Sequence, residues 1–358
     1  MNLDGVLGYL ERLLAFDTQN PPRLLDACSP IFNWIEAVLG PGFDIELTDH
    51  GKGRVSMLAV RGKPSLLFNV HLDTVPVIEG SRFPPLELTR VDDRVYGRGA
   101  CDIKGAAACL LEIACNREGP MALLFTTDEE GASGCCVAEF VKTARSRAFS
   151  QVVVAEPTDC LAVLSHRGYL SVKGEFTGRS GHSSEPRALA DNALHKLCAW
   201  VAAGVGKAAE MEKTGHRPCF NVGEVHGGIK SNIIADKANL HWSARLAPGD
   251  SNPAFLETMT GLDHGEAVQW HVPFSGPPLP TGGMDTSDSE AFVERHGLET
   301  GPAVNFWTEA SLFAQSGLPA IVLGPGNIAQ AHVVDEWVSV TQLQRALDLY
   351  TQLVDNND

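Results

Sequence analysis

Leu3, Val6, Leu7, Leu10 and Leu14 recur at helical spacing, so the first fifteen residues predict an amphipathic α-helix. A second helix is expected over residues 22–39, after Pro21-Pro22. Beyond it, short continuous apolar runs alternate with helical stretches. Strands are expected at 66–70, 122–127 and 152–155, and helices at 103–115 and 136–144. Strands that are apolar on both faces, separated by helices, predict an α/β fold whose mixed or mostly parallel sheet is covered by helices on both sides. From His166 the pattern changes. Residues 169–176 (Y-L-S-V-K-G-E-F) alternate, a helix is expected over 188–203, and strands over 238–246 and 267–274. That order predicts a smaller α+β unit with one open sheet face. The Pro/Gly-rich stretch 276–283 predicts the return hinge, after which 303–306 and 320–323 resume the earlier strand style and 340–353 forms a last helix. The smaller domain is therefore expected as an insertion, with domain boundaries at 1–167, 168–279 and 280–358.

A chain of 358 residues exceeds the size at which one core usually stops growing, which agrees with two domains. Its net charge of −16 argues against nucleic acid or an anionic membrane as the main partner, while leaving room for a small anionic substrate held by local cations. The nine cysteines form no C-x-x-C pattern and read as reduced thiols. With no basic leader and no apolar run of membrane-spanning length, a cytoplasmic protein is expected.

The chemistry-bearing residues gather where the apolar strands end. The first run leads into His71-Leu-Asp73, the second into Asp128-Glu129-Glu130, the third into Glu156-Pro157, and the last into Gly324-Pro-Gly with His332 shortly after. Ligands of open α/β sheets bind at the carboxyl ends of the strands, so these groups can converge on one crevice. With Asp102 they offer two imidazoles and several carboxylates, a donor set suited to two divalent ions such as zinc. Taken singly, each has a plainer reading. Asp73 could cap a turn, Asp102 could be the N-cap of a helix from Ile103, and Glu129-Glu130 could be a solvated turn. Their joint occurrence at strand ends is what the plain readings leave unexplained. The segment Tyr96-Gly97-Arg98-Gly99-Ala100-Cys101-Asp102 begins like a dinucleotide fingerprint, but Asp102 occupies its sixth position, where it would face a pyrophosphate with like charge.

The motifs H-L-D-T-V-P at 71–76, Y-G-R-G-A-C-D-I-K-G at 96–105, T-D-E-E-G at 127–131, A-E-P-T at 155–158 and the late His332 resemble, in order and over nearly the whole chain, the co-catalytic zinc amidohydrolases. That family includes aminoacylases, glutamate carboxypeptidase-type enzymes, desuccinylases and acetylornithine deacetylases. The resemblance implies a zinc-peptidase-like catalytic domain carrying an inserted lid that also forms a homodimer. It implies two divalent ions, zinc first and cobalt also accepted, with Asp102 bridging them. His71 and Glu156 would complete one site, and Glu130 and His332 the other. Asp73 would orient His71, and Glu129 would be the general base.

In the inserted domain, Gly181-His182-Ser-Ser-Glu-Pro186 resembles a family segment whose histidine reaches the partner's active site and stabilises an oxyanion. Asn232 and Arg245 are, by resemblance, ligands of a substrate carboxylate, Arg245 through its bidentate fork. Lys230 would repel the amine of acetylornithine but could bind the ureido carbonyl of N-acetyl-L-citrulline, whereas Glu309 in W-T-E-A-S could receive an amine. The expected reaction is hydrolysis of an N-acetyl amino acid in arginine biosynthesis, with N-acetyl-L-citrulline the first substrate expected and N-acetyl-L-ornithine the second. A desuccinylase or dipeptidase of the same family, or a metal- or peptide-binding relative without catalysis, are the alternatives.

Overall fold

The structure, a computed structural model, describes residues 2–356 apart from 23–24, 132–133, 264–267 and 282–284. The chain divides into two compact units, the first built from 1–164, 285–303 and 308–358, the second from 165–284 and 304–307.

The first unit opens with α1 (Leu3–Leu14), whose Val6, Leu10, Leu13 and Leu14 are buried and whose start is capped by the Asn2 side chain accepting from Gly5 N. The helix α2 (Pro30–Leu39) is shorter than expected. It begins at Pro30, and residues 23–24 of the expected span lie outside the described residues. Next come β1 (Asp44–Asp49), β2 (Val55–Arg61), β3 (Leu66–His71), the short β4 (Thr89–Val91) and β5 (Arg94–Tyr96), then α3 (Gly105–Asn116), β6 (Met121–Thr126), α4 (Cys135–Phe140) and β7 (Gln151–Val154). Residues 105–114 of α3 are all buried, as suits a helix apolar on every side and packed against α1 and α2.

The second unit follows with β8 (Tyr169–Thr177), α5 (Ala193–Lys213), β9 (Phe220–Gly227), β10 (Lys237–Ala244), α6 (Asn252–Thr260) and β11 (Val268–Gly276). Its antiparallel sheet runs β11-β8-β10-β9. Alternation along β8 and β10 turns Leu170, Val172, Leu240 and Trp242 into a core with Leu197, Trp200 and Phe255, and leaves Lys173 and Asn239 exposed. Ala267 and residues 282–283 of the expected strand and hinge lie outside the described residues.

The chain then returns to the first unit with α7 (Ser287–Arg295), α8 (Ala310–Gln315), β12 (Ala320–Val322), β13 (Trp337–Ser339) and α9 (Val340–Asp355). The strand expected at 303–306 does not form. Val304 makes an isolated bridge to His166, and Trp307 is drawn onto Phe274 with ring centroids 4.8 Å apart, so this stretch packs with the second unit.

The main sheet runs β1-β2-β6-β3-β7-β12. The pairs β6–β3, β3–β7 and β7–β12 are parallel, and β1–β2 and β2–β6 antiparallel, which gives the expected mixed, mostly parallel sheet. Parallel pairing has a functional consequence: β3, β6, β7 and β12 all end on one edge, and there the candidate residues emerge. The nine cysteines are unpaired. Among the described residues no helix is long and apolar enough to cross a membrane.

Candidate metal centre

The centre lies within the first unit. His71 is the last residue of β3, paired in register with Thr126 at the end of β6. Glu156 follows β7 by two residues, after Ala155 N donates to Asn69 O at 3.0 Å. Glu129 and Glu130 leave β6, and His332 comes from the loop between β12 and β13. Asp102 sits in an irregular turn before α3, with φ −122° and ψ 89°. It does not cap α3. The helix starts at Gly105, and the Asp102 carboxylate is spent on two imidazoles instead.

The contacts are short and divide into two groups around Asp102. On one side His71 Nε2 lies 3.0 Å from Asp102 Oδ1 and 3.5 Å from Glu156 Oε1. On the other His332 Nε2 lies 3.1 Å from Asp102 Oδ2 and 3.0 Å from Glu130 Oε1. In each of these groups, and in a third formed by His71, Glu129 and Glu130, the donor atoms lie within 4.8 Å of one another. Two ligands of one zinc ion, each at about 2.0–2.2 Å from it, stand roughly 3–4 Å apart. The residues present therefore fit a pair of divalent ions that share Asp102. The buried Glu156 Oε1 has no hydrogen-bond partner among the described residues, as a ligand atom directed at a cation would. The nitrogen and carboxylate donor set suits zinc, cobalt or manganese.

Asp73 acts on this cluster by a route the sequence does not reveal. His71 Nδ1 lies 2.8 Å from the Asp73 backbone carbonyl and 3.5 Å from its carboxylate Oδ1. Donation from Nδ1–H to the carbonyl leaves Nε2 as the electron-pair donor facing Asp102. The other carboxylate oxygen, Oδ2, accepts from Glu130 N at 3.0 Å and from Asn20 Nδ2 at 2.8 Å. One residue thus sets the tautomer of His71 and anchors the backbone of Glu130. Asn20 was not anticipated, because its role is a side-chain contact over 53 residues of sequence.

Crowding of like charge shapes the proton affinities. Burial, reinforced by Glu156, Glu130 and Asp102, raises Glu129 well above the ordinary carboxylate range. Burial and the charge of Asp102 raise Glu156 in the same way. Glu130 is pushed up to about 7 by burial and Asp102, with His332 opposing. Burial opposes the charge on His332, but its bonds to Asp102 and Glu130 prevail and take it to about 10. Burial likewise opposes the charged forms of His71 and Asp102. Their mutual bond and their other partners outweigh it, raising His71 and holding Asp102 below the usual range. Four carboxylates and two imidazoles packed this closely are the charge pattern that two divalent ions neutralise.

Glu309 is buried in the first unit, where Thr126 Oγ1 donates to its Oε2 at 2.8 Å. Burial and Asp128 push it up to about 8. The remaining expected residues belong to the second unit. An isolated bridge between His182 and Ile233, with Ser183 N donating to Asn232 O at 3.1 Å, sets the loops of His182 and Asn232 side by side. The Nδ1 of exposed His182 lies 2.7 Å from the Ser184 hydroxyl and accepts from Ser184 N at 3.3 Å, which leaves the proton on Nε2. Lys230 and Asn232 are exposed, and the Arg245 guanidinium lies 3.9 Å from the ring centroid of Tyr169.

Comparison with known proteins places the chain among relatives. A family model described as peptidase family M20/M25/M40 matches residues 67–356. The N-acetyl-L-citrulline deacetylase of Xanthomonas campestris pv. campestris is 42% identical, with 99% of each chain covered. The acetylornithine deacetylase of Vibrio vulnificus is 30% identical over 89% of this chain and 88% of its own. Among solved structures, aminopeptidase PepT from Bacillus cereus matches with TM-score 0.73 at 16% identity, covering 99% of this chain and 98% of that one. The M20 family metallo-carboxypeptidase Sso-CP2 from Sulfolobus solfataricus matches with TM-score 0.72 at 18% identity, covering 99% of both. These two likenesses establish the fold.

Proposed function

The chain belongs to peptidase family M20/M25/M40, and from that premise we propose that it is a deacetylase of arginine biosynthesis, cleaving N-acetyl-L-citrulline to citrulline and acetate. The observation that carries this reading is the end-to-end likeness to an N-acetyl-L-citrulline deacetylase.

His71 and Glu156 would hold one divalent ion and Glu130 and His332 the other, with Asp102 contributing to both; zinc is the ion proposed, with cobalt able to replace it. Such ions supply positive charge that acidifies water and polarises the scissile carbonyl. Glu129 takes the proton from the attacking water and delivers it to the departing amine. Asp73 keeps His71 in the tautomer that faces the ion. His182 donates its Nε2–H to the oxyanion on the site of a second copy, so the working form is a homodimer made through the smaller unit. Asn232 and Arg245 bind the substrate carboxylate, and the Lys230 ammonium meets the ureido carbonyl of citrulline.

Glu309 decides less about the side chain: burial and Asp128 push it up to about 8, against an ammonium partner, but its Oε1 has no hydrogen-bond partner among the described residues and is open to one. The place of work is the cytoplasm, where nine unpaired cysteines stay reduced. A second reading, acetylornithine as substrate, is favoured by the likeness to acetylornithine deacetylases. A panel of N-acyl amino acids, varied in acyl group and side chain and run on zinc- and cobalt-loaded protein, separates them. The highest kcat/KM is expected for N-acetyl-L-citrulline, and a clear preference for acetylornithine or a succinylated amine overturns that choice.

A further inference from the structure

The centre has a support that lies outside its ligand set. Glu336, four residues after His332, is buried at 3% exposure, and so is Arg98. Their side chains pair at 2.5 Å through Arg98 Nη1 and Glu336 Oε2. The other carboxylate oxygen, Oε1, accepts two backbone amides at 3.0 Å each, those of Cys101 and Asp102. The strand pair β5–β13 runs alongside, with Tyr96 opposite Trp337 in register and Gly97 N donating to Glu336 O at 3.1 Å. Arg98 closes the loop by donating from Nη2 to Val333 O at 3.1 Å, beside His332. The Gly97–Asp102 turn and the segment that follows His332 are thus stitched together by one buried ion pair and the bonds around it.

That arrangement answers a backbone problem. Cys101 and Asp102 stand in the first turn of the irregular segment before α3, where amides look back to residues outside any helix and have no helical carbonyl to meet. His332 has φ +58°, a left-handed conformation that a non-glycine residue holds only when its surroundings impose it. Asp102 must also present one carboxylate oxygen to each side, within 3.0 Å of His71 and 3.1 Å of His332. A modest turn of its peptide plane would favour one side at the expense of the other.

We propose that Glu336 is a positioning residue of the metal centre: by accepting the Cys101 and Asp102 amides it fixes Asp102 in the orientation that lets it serve two ions, while its pair with Arg98 contributes to folding. This rests on the two-ion reading of the site. It assigns the effect to the reach of Oε1, not to the charge on the carboxylate, and two substitutions separate those. Glu336→Gln keeps an oxygen at the same reach for both amides and loses the charge facing Arg98. Glu336→Asp keeps the charge and withdraws the oxygens by one methylene.

The experiment titrates metal-free wild type and both variants with cobalt(II), reading calorimetric affinity and the visible absorption of the bound ion. Melting curves of the metal-free proteins report folding separately. Wild type is expected to bind two ions. Glu336→Gln should bind within a few-fold of wild type even though it melts lower. Glu336→Asp should bind roughly 10–100-fold more weakly, the range for loss of a residue that orients a ligand, with an altered absorption band. The reversed order, equal affinities in all three proteins, or equal losses in both variants would overturn the role given to Glu336. Wild type binding fewer than two ions would instead overturn the two-ion reading on which it stands.

Discussion

At Glu130 the carboxylate lies 3.0 Å from His332 Nε2 and the backbone amide is tied to Asp73, whereas Glu129 joins the donor cluster only with His71 and Glu130. On the proposed reading two adjacent glutamates divide the work, and their substitutions should differ in kind. Glu129→Gln is expected to keep both ions and lose roughly 10²–10⁴-fold in kcat, the usual contribution of a general base. Glu130→Gln is expected to lose the ion shared with Asp102 and His332. Elemental analysis beside kcat distinguishes the two, and loss of metal from Glu129→Gln would contradict the division. Ion uptake also has a sign with pH. In the metal-free protein His332 holds its proton up to about 10 and Glu130 up to about 7, while ions bind only the deprotonated forms. Binding at neutral pH should therefore release protons, and affinity should climb as pH rises through that window. Calorimetry in buffers of different ionisation enthalpy measures the release, and none at neutral pH would count against these couplings. Of the residues that gather at this centre, His71, Glu129, Glu130 and Glu156 were legible because they follow apolar runs, and Asp102 from the Y-G-R-G-A-C-D-I-K-G motif. Asn20, Glu336 and the carbonyl of Asp73 were not, since they act through backbone groups and long-range contacts that leave no periodic mark.

Among the elements, the buried strands β3, β6 and β7 were plain as continuous apolar runs, and their parallel order carries the proposed ligands to one edge. The strands β1 and β9 escaped because they lie at sheet edges and are largely exposed, so their apolar residues are few and scattered. A turn signal was nonetheless present at Gly51-Lys52-Gly53, where three successive positive φ values close the β1–β2 hairpin and His50 N donates to Arg54 O at 2.8 Å. The residue just past the end of β12 shows how tightly the strand ends are packed. A Cβ on Gly324 would stand 2.3 Å from Ala155 O and 2.6 Å from Glu156 O, both backbone atoms of the segment that carries a ligand. Gly324→Ala is therefore expected to destabilise the chain by about 1–3 kcal/mol, the cost of overpacking, and to weaken ion binding by displacing Glu156. Thermal melting and metal titration check both halves. A variant that melts and binds like wild type would mean that the strand end yields more easily than its contacts imply.

At the scale of the whole molecule, the proposed ion-binding residues and Glu129 belong to one compact unit, while His182, Lys230, Asn232 and Arg245 belong to the other. The insertion was readable from the change of hydrophobic period at His166, because a sheet with one open face alternates and a doubly covered one does not. Nothing in that pattern reveals whose chemistry His182 completes. Its Nε2 keeps the proton that an oxyanion would accept, since Nδ1 is occupied by Ser184. If His182 serves the site of the second copy, two inactive variants should rescue each other. Glu129→Gln protein lacks the base and retains His182; His182→Ala protein lacks the donor and retains Glu129. In a mixed dimer the site with an intact Glu129 would receive its histidine from the other copy. Random exchange makes half the dimers mixed, each with one complete site, so about a quarter of wild-type activity should return in a closed twofold assembly. Refolding or subunit exchange of the two variants together, assayed against each alone, makes the measurement. No recovery, with mixed dimers demonstrated by differential tags, would place His182 in its own chain's site or outside the reaction.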